Sequence, residues 1–376
     1  MKRSAAVISG IIICLYTLFI PAFAEEDFAS EIGVDISAVD EAVPSDAAEI
    51  IEENGISADN IDAVNSIGPS DVFRYMAEQI KLKIKYPLKL LVMMFSVIIA
   101  GSVTENFGNC IANKSVSNVY ETVCVLIAVG IVSEPIVKCV QIAAETLYSG
   151  SDFVASYIPV FSGIMASSGC ITSASAYSVV LMICSEGAAA IAAHYLMPLI
   201  SICMALGIIE SINGAFNLTQ ITSSICKAVK FILGFIMTVF IGLLSLQSII
   251  GASADTIGVK AAKYLASNCI PVIGGAVADA YTTLKASLGI LRGGVGFFGI
   301  AVIFVSFVPV LTEVLLVKLS FCIAEIVSEM FGIKGIKTLL HNSSEVLSII
   351  ISLLVCFGMM LIISTAVMMM IGLDVS

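Results

Sequence analysis

Apolar residues run along this chain in blocks of about twenty, separated by short polar patches. A helix needs about 20 mainly apolar residues to cross a bilayer. Six blocks meet that requirement firmly: residues 87–104, 119–137, 197–216, 229–250, 294–317 and 346–373. Four more, at 153–169, 171–195, 270–288 and 319–331, are diluted by Gly, Ser, Thr and Ala or carry charges. These softer blocks read as short spans, broken helices or re-entrant hairpins. The expected fold class is all-α, a polytopic membrane helical protein with six firm and up to four soft segments.

The blocks are preceded by three segments of different character. Residues 1–24 open with Lys2 and Arg3, continue through an apolar run to Ile20 and Pro21, and end Ala22-Phe23-Ala24. That is the form of a secretory signal peptide with a small-residue cleavage site. Residues 25–70 are polar and acidic, punctuated by Gly and Pro, with too little apolar content for a core of their own. From 71 to 86 the pattern turns helical, with Val72, Met76, Ile80 and Ile84 at four-residue spacing and Lys81, Lys83 and Lys85 beside them. This predicts an amphipathic helix on the membrane surface leading into the first span.

Composition supports the membrane reading. Of 376 residues, 59% are hydrophobic and 12% charged, where a soluble domain carries about 25% charged residues. The net charge of −11 is misleading until it is partitioned. Residues 25–73 hold fourteen acids and no Lys or Arg, the first 24 residues carry +2, and residues 74–376 carry only +1. The acidity therefore belongs to one exported segment, and the membrane body is nearly neutral. No basic stripe exists for nucleic acid. The eleven cysteines are dispersed through apolar runs with no C-x-x-C pair, so they read as small buried hydrophobes rather than disulfides or zinc ligands.

An internal duplication of about 110 residues is visible. Ile158-Pro159-Val160 recurs as Ile270-Pro271-Val272, Ala144-Glu145-Thr146 as Ala254-Asp255-Thr256, and Met197-Pro198-Leu199 as Val308-Pro309-Val310. The offsets are 110 to 112, giving units of roughly 119–226 and 229–333 within a transmembrane domain of 87–376. Each unit reads as a span, an acid-bearing segment, an Ile-Pro-Val turn, a small-residue segment and a second span. Paired Gly/Pro interruptions in two halves point to a substrate path, although prolines also merely kink packed helices. The connection 134–152 sums to −2 and that from Asp255 to Arg292 to +2. Inverted and parallel repeats both remain open.

Charges inside apolar stretches are functional candidates because insertion opposes them. Glu186, Glu210, Asp255, Asp279, Glu313, Glu325 and Glu329 qualify, with pairing expected between Asp255 and Lys260 or Lys263, and between Asp279 and Lys285. The only histidines, His194 and His341, read as interfacial. The chain contains no G-x-x-x-x-G-K-[ST], H-E-x-x-H or G-x-S-x-G, so no enzymatic activity, cofactor or metal is expected.

Two stretches carry a family resemblance. One is I-P-V-F-S-G-I-M-A-S-S-G-C-I-T-S-A-S-A from Ile158, and the other is 245–287, with S-L-Q, A-D-T, A-A-K, N-C-I-P-V-I-G-G and Asp279. With the signal peptide and acidic segment, the chain resembles the stage III sporulation protein AE family of endospore-forming bacteria. The resemblance implies a channel or permease-like subunit of the complex linking mother cell and forespore, in the mother-cell-derived outer forespore membrane. It implies as partners the other stage III sporulation A proteins, including a cytoplasmic ATPase and ring-forming membrane proteins, and a forespore membrane protein. A non-conducting scaffold and a stand-alone ion-coupled transporter are the alternatives. The candidate substrate path takes Pro159, Gly163, Ser167, Ser168 and Gly169 from the first stretch. From the second it takes Gln247, Asp255, Lys263, Asn268, Pro271, Gly274 and Asp279.

Overall fold

The computed structural model describes residues 69–110, 114–191, 197–212, 218–269 and 274–370, together with 43–44, 47–48 and 51. The expected signal peptide, most of the acidic segment, His194, Pro271 and everything after residue 370 lie outside the described residues. Within them the chain is helical, with no strand. The helices are α1 Pro69–Lys83, α2 Lys85–Cys110, α3 Lys114–Ser167, α4 Ile171–Ile191, α5 Met197–Ile212, α6 Thr219–Cys269, α7 Gly274–Met330 and α8 Lys334–Met370. Five of them, α2, α3, α6, α7 and α8, are long and apolar enough to cross a membrane. The polytopic membrane fold expected from the apolar blocks is present.

The block boundaries need correction. The block at 197–216 yields α5 over its first 16 residues, and residues 213–216 lie outside the described residues. Blocks 119–137 and 153–169 fuse into α3, and α7 absorbs most of the last two soft blocks with the firm one between them. Helices α3, α6 and α7 hold 54, 51 and 57 residues. At 1.5 Å per residue each is roughly 75–85 Å long, against about 30 Å of hydrocarbon.

Pro159 does not end a helix as expected, and Pro135 and Pro309 stay inside the firm blocks that carry them. Pro135 and Pro159 lie inside α3 and Pro309 inside α7, so the Ile-Pro-Val turn expected at Pro159 is instead an exposed mid-helix position. A proline removes one ladder bond, and a helix with neighbours can survive that loss. At Pro309 the rescue is visible. The missing N–H orphans the Val305 carbonyl four residues back, and the Tyr75 hydroxyl of α1 donates to it at 3.3 Å. Burial pushes the Tyr75 pKa up to about 12, so the hydroxyl stays a donor at physiological pH. Its ring also lies 6.2 Å from that of Phe304. Tyr75→Phe keeps the ring but leaves the carbonyl unpaired, for an expected loss of about 1–2 kcal/mol. Thermal unfolding in detergent reads this, and an unshifted melt removes the hydroxyl from the account.

Helix α1 thus docks on α7. Its packed stripe holds Tyr75 and Gln79, whereas Ile80 and Leu82 are 42% and 70% exposed, so Ile80 departs from the expected row. The core centres on α8, which is buried on nearly every side and touches α3, α4, α5, α6 and α7. It returns antiparallel along α7 through a turn at Gly332, whose φ of +80 suits a residue without Cβ. Phe307 and Phe357 meet across that pair at 5.9 Å between ring centroids. On the outside, Phe231, Phe235, Leu246, Ile249 and Ile250 of α6 are each at least 60% exposed. Such an outward apolar face belongs against lipid.

Candidate functional site

The first of the resemblance stretches forms a helix break. Helix α3 ends at Ser167, and α4 begins at Ile171. The chain turns at Gly169, φ +86. The Gly169 N–H donates to the Ala166 carbonyl and the Cys170 N–H to that of Met165, each at 3.0 Å, which satisfies the last carbonyls of α3. The buried Ser168 hydroxyl donates to the Met165 carbonyl at 2.7 Å, and the exposed Ser167 hydroxyl to that of Gly163 at 2.9 Å. Gly163, Ser167, Ser168 and Gly169 therefore build one self-satisfied helix end. Pro159 lies about two turns upstream on the exposed side of α3.

The start of α4 is satisfied from another helix. A helix N-terminus presents unpaired N–H groups and a partial positive charge. Asp255 of α6, 8% exposed, accepts from the Thr172 N–H at 2.9 Å and the Ser173 N–H at 3.0 Å. The expected pairing of Asp255 with Lys260 is corrected, since Lys260 is exposed and both carboxylate oxygens engage α4. Five residues apart on a helix, Asp255 and Lys260 do not share a face.

Asp255 belongs to a stripe. Leu244, Gln247, Gly251 and Asp255 recur at three- and four-residue spacing on one face of α6. They run antiparallel to the first turns of α4. The Tyr177 hydroxyl donates to the Leu244 carbonyl at 3.2 Å, and Gln247 Nε2 to the Ala176 carbonyl at 3.4 Å. A Cβ on Gly251 would sit 2.6 Å from Ser173 Oγ and 3.2 Å from Ser173 Cα, so only glycine lets the helices approach this closely. Ser173 Oγ and Gln247 Oε1 are buried in the seam without hydrogen-bond partners.

One residue near the break escaped the sequence reading. Arg292 was counted there as a connecting-loop charge, yet it lies inside α7 and is 2% exposed. Its Nη1 reaches Cys170 Sγ at 3.9 Å, and its Nε has no partner. No sequence signal separates it from a loop arginine except the apolar residues on both sides. The remaining site residues stand apart. Lys263 and Asn268 fall near the end of α6, and Gly274 and Asp279 near the start of α7. Their side chains, like Pro271 and the expected Asp279–Lys285 pair, lie outside the described residues.

The other intramembrane acids are engaged. Glu313 of α7 accepts from Lys83 at 2.9 Å and Lys138 at 2.7 Å. Glu325 contacts His341 Nδ1 at 2.9 Å, and Glu329 pairs with Lys337, while Glu186 is exposed. Among the described residues no three His, Cys, Asp or Glu side chains gather as a metal centre.

A family profile described as stage III sporulation protein AE matches residues 51–372, which include every helix from α1 to α8. The chain belongs to the stage III sporulation protein AE family. It is 24% identical over 215 residues to the stage III sporulation protein AE of Bacillus subtilis strain 168, covering 57% of this chain and 54% of that protein. The chain thus spans about half the length of this curated relative. No solved structure matches it. Family and fold together describe a multi-pass membrane protein with a role in sporulation.

Proposed function

We propose that this stage III sporulation protein AE family member is a channel or permease-like subunit of the complex linking mother cell and forespore. The observation that carries the reading is the α3–α4 break, held against α6 by the buried Asp255. Irregular backbone at membrane depth is tolerated where protein surrounds it or a cavity adjoins it. Broken helices of that kind, with a charged residue at the break, are how transport proteins place polar backbone beside a path. The unpartnered Ser173 Oγ and Gln247 Oε1 lie in the same seam, and Arg292 approaches the break from α7. The chain resides, on this reading, in the outer forespore membrane with residues 25–86 outside the cytoplasm. It works with the ATPase and ring-forming proteins of the stage III sporulation A set and a forespore partner.

Asp255→Asn tests this. The amide keeps an acceptor for one α4 N–H but loses the charge and the second bond, for an expected stability loss of about 1 kcal/mol. Protein level should hold while late forespore gene expression fails. Normal expression at unchanged protein level sinks the conducting role.

A scaffold reading draws on the acidic segment, fourteen acids without a base over residues 25–73, which suits a contact surface in the space between two membranes. Deleting residues 25–70 separates the two. Lost recruitment of partners, with no transport by the remaining body in isolation, favours the scaffold, whereas transport retained by that body favours the channel.

A further inference from the structure

Helices α1 and α2 continue one another. The hydrogen-bond ladder runs through their junction, with the Ile84 N–H on the Ile80 carbonyl at 3.0 Å and the Leu88 N–H on that of Ile84 at 3.1 Å. Contacts with α7 advance together along both. Tyr75 reaches Val305, Lys83 reaches Glu313, and the Ser320 hydroxyl donates to the Pro87 carbonyl at 3.1 Å. One side of this rod is buried in the bundle, through Gln79, Leu90, Met94 and Ile98.

The opposite side changes character at one level. Lys81, Lys85, Lys89, Val92, Ile99 and Val103 recur at three-, four- and seven-residue steps, which places them on one face, and all six are exposed. The face is basic up to Lys89 and apolar beyond it. Exposed Leu82 and Leu88 stand among the lysines. From Lys81 to Lys89 the helix rises about 12 Å.

Neighbouring acids do not account for these lysines. Arg74 is paired with Glu78, and Glu313 is shared by Lys83 and Lys138. Glu134 of α3, exposed at this level, acts on the Tyr86 hydroxyl together with Lys138 and Glu313. Half-buried Lys318 of α7, two residues before Ser320, adds a further cation. Among the described residues, no acid pairs with Lys81, Lys85, Lys89 or Lys318.

We infer that Lys81, Lys85 and Lys89 form a docking surface for the phosphate headgroups of anionic phospholipids. The outward face of α2 beyond Lys89 suits acyl chains, so the lysines stand where headgroups begin. Their flexible stems lie along apolar surface while the ammonium groups reach outward. A basic residue near an anionic surface contributes about 5-fold in partition, and salt screens it. The acidic residues 25–68 of this chain could match the charge, but they would leave the exposed leucines and the apolar continuation of the same face uncovered.

The test uses the full chain in non-ionic detergent, mixed with phosphatidylglycerol or phosphatidylcholine of the same acyl chains, with retained lipid counted by native mass spectrometry. Preference for phosphatidylglycerol of at least ~10-fold is expected at about 50 mM salt, and most of it should vanish at about 500 mM. Replacing the three lysines by Gln should bring the two lipids within ~2-fold, whereas replacing them by Arg should retain the preference. Lys260→Gln, at an exposed position of α6, should behave as the parent. Inorganic phosphate at about 10 mM should not displace the lipid, because it brings no acyl chain. Equal retention of both lipids by the parent overturns the inference, as does a preference that survives the three Gln substitutions. Displacement by phosphate overturns it by assigning a free-anion site. Carbodiimide cross-links that join these lysines to residues 25–68 in the presence of phosphatidylglycerol overturn it in favour of the acidic segment.

Discussion

Tyr157→Ala is expected to cost about 3 kcal/mol, among the largest losses available from a single side chain in this bundle. Tyr157 is 2% exposed on α3. Its ring stacks between Phe153 and Phe161, with centroids 5.6 and 5.3 Å away. Across the interface the hydroxyl donates to the Val295 carbonyl of α7 at 3.3 Å. Gly299 makes room for the ring, since a Cβ there would lie 2.7 Å from Tyr157 Cζ. Truncation of a core aromatic costs about 3–5 kcal/mol in water-soluble proteins. Lipid tails lower the hydrophobic part of that cost, so the lower end applies and what remains is packing and the hydrogen bond. The readout is a thiol-reactive dye during heating, because Cys124, Cys139, Cys170, Cys203 and Cys226 are buried and free. Labelling should begin roughly 5–10 °C lower. Tyr157→Phe isolates the hydrogen bond at about 1 kcal/mol, and Gly299→Ala should cost about 1–3 kcal/mol by overpacking. The double variant Tyr157→Ala, Gly299→Ala should be less unstable than the two losses added, because the new methyl enters the space the ring left. Strict additivity would show that α3 and α7 do not meet there.

The helical class was legible because apolar blocks near twenty residues leave few alternatives. Helix ends were not. Pro159 carries the signature of a turn, yet whether a proline breaks a helix depends on what its freed carbonyl finds, and at Pro309 that partner, Tyr75, stands 230 residues from Val305. The Asp255 site was half legible. Charge in an apolar setting singles out Asp255, and the family resemblance adds Gln247, but sequence proximity points to nearby lysines as partners. The partners of Asp255 are the backbone amides of Thr172 and Ser173, which carry no side-chain signature. Arg292 was misplaced for a similar reason, since charge counting treats a buried guanidinium and a loop guanidinium alike.

Glu313→Ala is the second large effect, at about 2 kcal/mol. The Glu313 carboxylate, 9% exposed, binds Lys83 of α1 through Oε2 at 2.9 Å and Lys138 of α3 through Oε1 at 2.7 Å. Lys138 also lies 4.9 Å from the centre of the Tyr86 ring. One acid on α7 therefore joins α1 and α3 and offsets two positive charges that would otherwise repel. Breaking a buried pair from one side costs about 3–5 kcal/mol. The lysines here are 39% and 49% exposed, so they can turn toward water and the loss is discounted to about 2 kcal/mol. The position of α1 should respond more than global stability. Its other named links to α7 are the Tyr75 hydrogen bond and the Tyr75–Phe304 ring contact. Limited trypsin treatment should then cut Glu313→Ala early at Lys81, Lys83 or Lys85, while the body from α2 onward stays protected. Lys83→Gln leaves the Glu313–Lys138 pair neutral and should cost about 1 kcal/mol, and Lys138→Gln about the same. Combining Glu313→Ala with Lys83→Gln should recover stability relative to Glu313→Ala alone, because one of the two uncompensated charges is gone. If that double variant is no better than the single, repulsion between Lys83 and Lys138 is not what the carboxylate relieves, and its contribution reduces to two separate hydrogen bonds.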